Sequence, residues 1–228
     1  YNSTVIMPKG ASPRGWPNQT YVKSAADGKP ALTGSKKPLQ PLSDTGFSVK
    51  YSNEAQTLLS FKSIWREIDI MPDGNVHSSD TYRVTNLGKE LNSITIPCPK
   101  NVSPIGLYDT AGPIHEKLKA QKDTISITPR FSMLTKGSSF TFRLEYDLPS
   151  QDSLRRLDPL GRYKFVGELA RANEYIVEDY IVNVSIPEGA RIETMLSPPN
   201  STSTLPNGGL MLTYNLGRLP PNQAKVAT

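Results

Sequence analysis

A single cysteine, Cys98, sits between Pro97 and Pro99. One thiol cannot form an intrachain disulfide or a thiolate metal cluster, and a buried or idle role is expected for it. Histidine is almost as scarce: His77 and His115 are the only two, and neither lies at ligand spacing from another His, Cys or carboxylate pair. No nucleophile elbow, phosphate loop, dinucleotide fingerprint or zinc-peptidase motif occurs. The acidic pairs Glu67 with Asp69 and Glu178 with Asp179 read as solvated strand charges rather than the flanking carboxylates of a glycosidase. No catalytic residue, cofactor or metal is therefore expected.

Long apolar runs are missing as well. No stretch approaches the roughly 18 uninterrupted apolar residues of a membrane span, and no signal-like run follows Tyr1. The chain reads as a piece of a longer precursor whose membrane anchor lies outside it. Its net charge of +5 and pI near 9.2 would suit an anionic partner. The basic residues are scattered, however, and the pairs Lys36-Lys37 and Arg155-Arg156 have no aromatic stacking platform beside them. No nucleic-acid partner is expected.

Proline is abundant, with 20 in 228 residues against an average usage of about 5%. Six of the 20 lie within residues 1–45. After a strand-like patch from Thr4 to Met7, the stretch from Pro8 to about Thr45 is rich in Pro, Gly, Ser and Lys and shows no apolar period. Residues 1–45 therefore read as the end of a preceding domain followed by an extended, Pro/Gly-rich N-terminal connector.

Beyond Gly46 the pattern alternates with period two, the signature of half-buried strands. Phe47, Val49 and Tyr51 open it. Ile64, Arg66, Ile68 and Ile70 then alternate with Trp65, Glu67 and Asp69 before the turn Pro72-Asp73-Gly74. A strand from Val76 to Val84 and another from Leu91 to Ile96 suggest a β-meander. Further strands are expected over 125–128, 140–146, 163–169, 175–186, 192–196 and 210–216, with Phe140, Phe142, Leu144 and Tyr146 facing the core. Only 151–157 and 115–121 leave room for a short helix. Many short strands between Pro and Gly turns specify an all-β fold, an antiparallel β-sandwich over 46–228, with an internal division conceivable near 148–150.

Five N-glycosylation triplets occur, at Asn2, Asn18, Asn101, Asn183 and Asn200. The 13 asparagines and 41 serines or threonines would give about two by chance, so the excess favours a lumenal or extracellular home. Pro104 directly follows the Asn101 triplet and should hinder its use, and Asn183 falls inside a predicted strand. Asn2, Asn18 and Asn200 are the better candidates.

Read together, GFSVKYSNEAQTLLSFKSIWREIDIMPDGNV (46–76), GLYDTAG (106–112), ISITPRFSMLTKGSSFTFRLEYDLPS (125–150) and YIVEDYIVNVSIPEGARIETMLSPP (175–199) resemble, in order and spacing, the ribophorin I family. The tightest pieces are Pro129-Arg130-Phe131, Tyr146-Asp147-Leu148-Pro149 and Ile186-Pro187-Glu188-Gly189-Ala190. The family is a non-catalytic subunit of the oligosaccharyltransferase complex, with lumenal β-domains, one transmembrane helix and a cytosolic tail. The resemblance implies placement in the endoplasmic reticulum lumen. As partners it implies the other oligosaccharyltransferase subunits, including the catalytic one, and acceptor polypeptides. Two rivals stand beside it. A cell-surface adhesion sandwich would share the strand pattern, and an enzyme or lectin acting on glycans would use Trp16, Trp65 and Tyr108 as stacking surfaces, although core packing or connector anchoring accounts for them more simply.

Overall fold

The computed structural model describes residues 2–7, 11–13, 21–26, 29–35, 51–53, 58–98, 102, 104–114, 118–121, 124–130, 133–149, 153–158, 161–195 and 197–227. They fall into two compact units, 1–57 and 58–228.

In the first unit, β1 (Asn2–Ile6), β3 (Tyr21–Ala26) and β4 (Lys29–Ser35) make an antiparallel sheet with β4 in the middle. The short strands β2 (Ala11–Pro13) and β5 (Tyr51–Asn53) pair with each other. Met7, Ala11 and Leu32 form a small buried cluster. Residues 21–26 and 29–35, within the stretch read as a connector, thus form a paired hairpin. Among the described side chains of β4, Ala31 and Leu32 are buried, an apolar pair too short to display a period. Phe47 and Val49 lie outside the described residues.

The second unit is built on an eight-stranded sheet in the order β10-β9-β13-β7-β6-β17-β19-β18. Its strands are β6 (Leu59–Ile70), β7 (Val76–Asn86), β9 (Pro104–Asp109), β10 (Gly112–Pro113), β13 (Ser139–Leu148), β17 (Val177–Ile186), β18 (Ser201–Thr204) and β19 (Leu210–Leu219). The β6–β7 hairpin turns where expected, with Gly74 at φ 88, a left-handed conformation that favours glycine. The run read as a meander leaves this sheet after β7. Its next strand, β8 (Ile94–Pro97), joins β11 (Leu118–Gln121) and β12 (Thr124–Ile127) in a separate three-stranded sheet, and β13 takes the place beside β7.

The large sheet is mixed rather than wholly antiparallel, because β17 runs parallel to β6, as a long connection permits. Ile94, Ile96, Ile125 and Ile127 of the small sheet share one core with Phe61, Ile64, Ile68, Phe142, Leu144 and Val182 of the large one. Sheet packs on sheet, as the alternation required, and Phe142, Leu144 and Tyr146 are buried with Phe140 partly so.

Short pairs complete the unit: β14 (Leu154–Arg156) with β15 (Tyr163–Phe165), and β16 (Gly167–Ala170) with β20 (Lys225–Ala227). Residues 118–121 and 154–156, where a helix had room, are therefore strands. The strand expected over 192–196 is not formed across 191–195. Its side chains are largely exposed there, so the apolar residues Ile192 and Met195 gain no sheet neighbours that would favour pairing.

Candidate functional site

Arg66 shares the inward face of β6 with Ile64 and Ile68, and is itself 1% exposed. A charge at that depth requires a partner. The β6–β7 register sets Asp80 opposite it, and the guanidinium grips the carboxylate through both prongs, Nε to Oδ1 at 2.7 Å and Nη2 to Oδ2 at 2.9 Å. Nη1 donates to the Glu168 carbonyl at 2.9 Å, fastening β16 to the sheet. Tyr146 and Tyr82 donate their hydroxyls to Asp80 Oδ2 at 2.8 and 3.2 Å. Arg171, which follows β16, donates to the same oxygen at 3.2 Å and also to the Tyr146 hydroxyl.

Charges nearly balance. Arg66 and Arg171 face Asp80, and Glu168 stands 3.3 Å from Arg171 Nε. The guanidinium groups also lie over aromatic rings, Arg66 over Tyr180 at 5.9 Å and Arg171 over Tyr146 at 5.1 Å. Burial raises the pKa of Asp80, but Arg66 and then Arg171 outweigh it and hold the carboxyl at about 2. Burial also pushes the Tyr82, Tyr146 and Tyr180 phenols up. A carboxylate this acidic is poorly matched to proton transfer near neutral pH, and its oxygens are already occupied. The cluster is a structural tie between strands.

The structure joins segments that the sequence presented separately. Arg130 of Pro129-Arg130-Phe131 clasps Asp109 of GLYDTAG, Nε to Oδ2 and Nη2 to Oδ1 both at 2.8 Å, and Nη2 adds the Gly112 carbonyl at 2.9 Å. This fork pins the β9–β10 hairpin. Tyr146 of the Tyr146-Asp147-Leu148-Pro149 strand end closes the Asp80 cluster. Arg66 carried a readable signal, since it fell on the apolar side of an alternating strand. Arg171 carried none, because only tertiary folding brings its loop to β7.

The residues considered for chemistry are not brought together. His77 faces outward and meets Asp147 at 3.0 Å on the neighbouring strand. Cys98 is half-buried, and burial, partly offset by Arg171, pushes its thiol up. His115 and Trp16 lie outside the described residues. Glu67 and Asp69 point from the outer face of β6, and Glu178 is held by Lys62 at 2.6 Å and Ser60 at 3.0 Å. Among the described residues, no group of three His, Cys, Asp or Glu is placed to hold a metal ion.

Of the glycosylation candidates, Asn2 is in β1, while Asn18 and Asn101 lie outside the described residues. Asn183 is 9% exposed in β17, between β6 and β19, and its Oδ1 accepts from the Thr213 hydroxyl at 2.9 Å. Asn200 is exposed, immediately before β18.

The outer face of the large sheet carries Trp65, Arg143 and Asn215 as exposed side chains. Its strand registers align Tyr108, Arg143, Thr81, Trp65, Ile181 and Asn215 in one row across six strands. Trp65 is 49% exposed in the middle of that row. The Arg143 guanidinium lies 5.0 Å over the Tyr108 ring. Aromatic and arginine side chains on a rigid sheet are the groups most often found as anchors of protein interfaces.

A family model described as Ribophorin I matches residues 88–207. Among solved structures, an M1 zinc metallopeptidase from Deinococcus radiodurans superposes with a TM-score of 0.52 at 14% identity, covering 74% of this chain and 42% of that one. A two-domain M1 zinc metallopeptidase gives 0.53 at 13% identity, covering 77% of this chain and 43% of that one. Aminopeptidase A from Legionella pneumophila gives 0.53 at 14%, covering 74% and 21%. This chain thus spans less than half the length of these enzymes, and at such identities the likeness is one of fold.

Proposed function

The chain belongs to the ribophorin I family, and on that premise we propose that it is a lumenal, non-catalytic part of an oligosaccharyltransferase subunit that supports N-glycosylation by protein contact. In this reading it stands in the endoplasmic reticulum lumen, with its membrane anchor outside the sequence. It braces the complex, catalytic subunit included, and helps present acceptor polypeptides. Residues 1–57 close a preceding lumenal domain, and residues 58–228 form the next.

The observation that carries the reading is the outer-face row from Tyr108 through Trp65 to Asn215. A half-exposed tryptophan two strands from a stacked Arg–Tyr pair supplies anchors for a partner surface. Asp80, held strongly acidic, is spent on internal ties, which supports a scaffold role over an acid–base one.

The test is co-purification of the full-length subunit with the transferase complex. Trp65→Ala combined with Arg143→Ala is expected to reduce recovery of the complex several-fold while the subunit stays folded. Replacing His77 and His115 with Ala and Cys98 with Ser should leave glycosylation of a simple peptide nearly intact. A triple variant that assembles normally but loses peptide glycosylation by orders of magnitude would show that this chain contributes chemistry.

A further inference from the structure

The large sheet ends at β18, whose four residues Ser201, Thr202, Ser203 and Thr204 are all exposed. Among the described residues no strand pairs with its far side. An open edge is a template for pairing with another chain, and proteins usually blunt it with charge, proline or a bulge. β18 has none of these within it: its sequence is uncharged, and its register with β19 is unbroken from Ser201 to Thr204.

At the start of this edge stands Asn200, in the triplet Asn200-Ser201-Thr202. Its backbone N–H donates to the Thr213 carbonyl at 2.8 Å, and its side-chain Oδ1 accepts the backbone N–H of Asn215 at 2.7 Å. The carboxamide is therefore oriented by its oxygen, and Nδ2 is left without a hydrogen-bond partner among the described residues. Formation of an N-glycosidic bond uses Nδ2 and leaves Oδ1 free to keep its hydrogen bond. Thr202, whose hydroxyl the triplet requires, is exposed two residues on in β18. The Oδ1 of Asn183 also accepts a hydrogen bond, but Asn183 is buried in mid-sheet with both strand edges paired.

We propose that Asn200 carries an N-linked glycan that shields the open edge of β18. The inference rests on the lumenal placement proposed above. The donor is an oligosaccharide linked to a polyprenyl diphosphate. Nδ2 bonds to the anomeric carbon as the bond from that carbon to the diphosphate oxygen breaks. The electron pair leaves with the lipid diphosphate, and the proton lost from Nδ2 passes to solvent or the leaving group, so no oxidant or reductant is needed.

The full-length subunit purified from its own cells is digested with trypsin, and the peptide from Ile192 to Arg218 is examined by intact glycopeptide mass spectrometry. The expected result is a glycan mass on Asn200, abolished by Thr202→Ala, which removes the triplet but keeps the Asn200 to Asn215 hydrogen bond. Light scattering of the Thr202→Ala protein should then show at least a several-fold rise in self-associated material over the glycosylated form. Occupancy at Asn2 or Asn18 with Asn200 bare would overturn the proposal while leaving lumenal placement intact. A chain bare at every triplet would overturn both. Occupancy with no change in self-association for Thr202→Ala would overturn the shielding, and new binding of an extended peptide by that variant would show instead that the edge is a docking strand.

Discussion

Removing the charge of Asp80 is the sharpest perturbation of this fold. Asp80→Asn keeps the shape of the side chain but leaves Arg66, fully buried, and Arg171 without their shared counter-ion. Holding the carboxyl at about 2 against an ordinary 3.8 corresponds to about 2 to 3 kcal/mol of native-state preference for the ionised form, at about 1.4 kcal/mol per pK unit. Breaking a buried pair on one side typically costs about 3 to 5 kcal/mol, because the remaining charge stays desolvated. A loss of about 3 kcal/mol is expected. In urea, with a slope of about 2 kcal/mol per molar, the midpoint should fall by about 1.5 M. Arg66→Met with Asp80→Leu should cost less than the sum of the two single changes, since neither ion is left unpaired. The sign with pH follows from the lowered pKa: the contribution is complete above the ordinary carboxylate value and is lost as pH falls from about 4 towards about 2. A cost below about 1 kcal/mol for Asp80→Asn at neutral pH, with unchanged slope, would refute the view that this cluster ties the sheet together.

Other consequences are as direct. Phe142→Ala should cost about 3 to 5 kcal/mol and Thr141→Ala well under 1 kcal/mol, because only the former faces the core; equal small losses in urea melts would overturn the strand-face assignment. Trp65→Ala alone should leave the melting temperature within a few degrees of the parent, as expected for a half-exposed side chain, while weakening recovery of partner subunits. At Gly209 an added Cβ would meet the Ile186 carbonyl oxygen at 2.5 Å, so Gly209→Ala should destabilise the native protein measurably in urea. Cys98, with its pKa raised by burial, should react slowly with a thiol reagent at pH 7 and quickly once urea unfolds the chain; equal rates would contradict its half-buried placement.

Local pattern and tertiary structure divide the description of this chain along a physical line. Period two is a property of a single strand, so the faces of β6 and β13, the turn at Gly74 and the all-β sandwich were legible from the residues alone. The motifs that carried the family resemblance could be read in order, but not why Arg130 and Asp109, or Tyr146 and Asp80, accompany one another. Such pairings depend on register and on which strands become neighbours. Neighbour choice is long-range: alternation looks the same in a meander as in a sheet where β13 inserts beside β7 and β17 runs parallel to β6. Arg66 could be placed on an apolar face from sequence, yet its partners come from β7 and from the segment following β16, with Arg171 arriving by loop. The row of side chains across the outer face likewise exists only because six strands align. Sequence fixes what each strand can bury; the packing of one strand against another decides which charges are paired inside and which side chains remain for a partner.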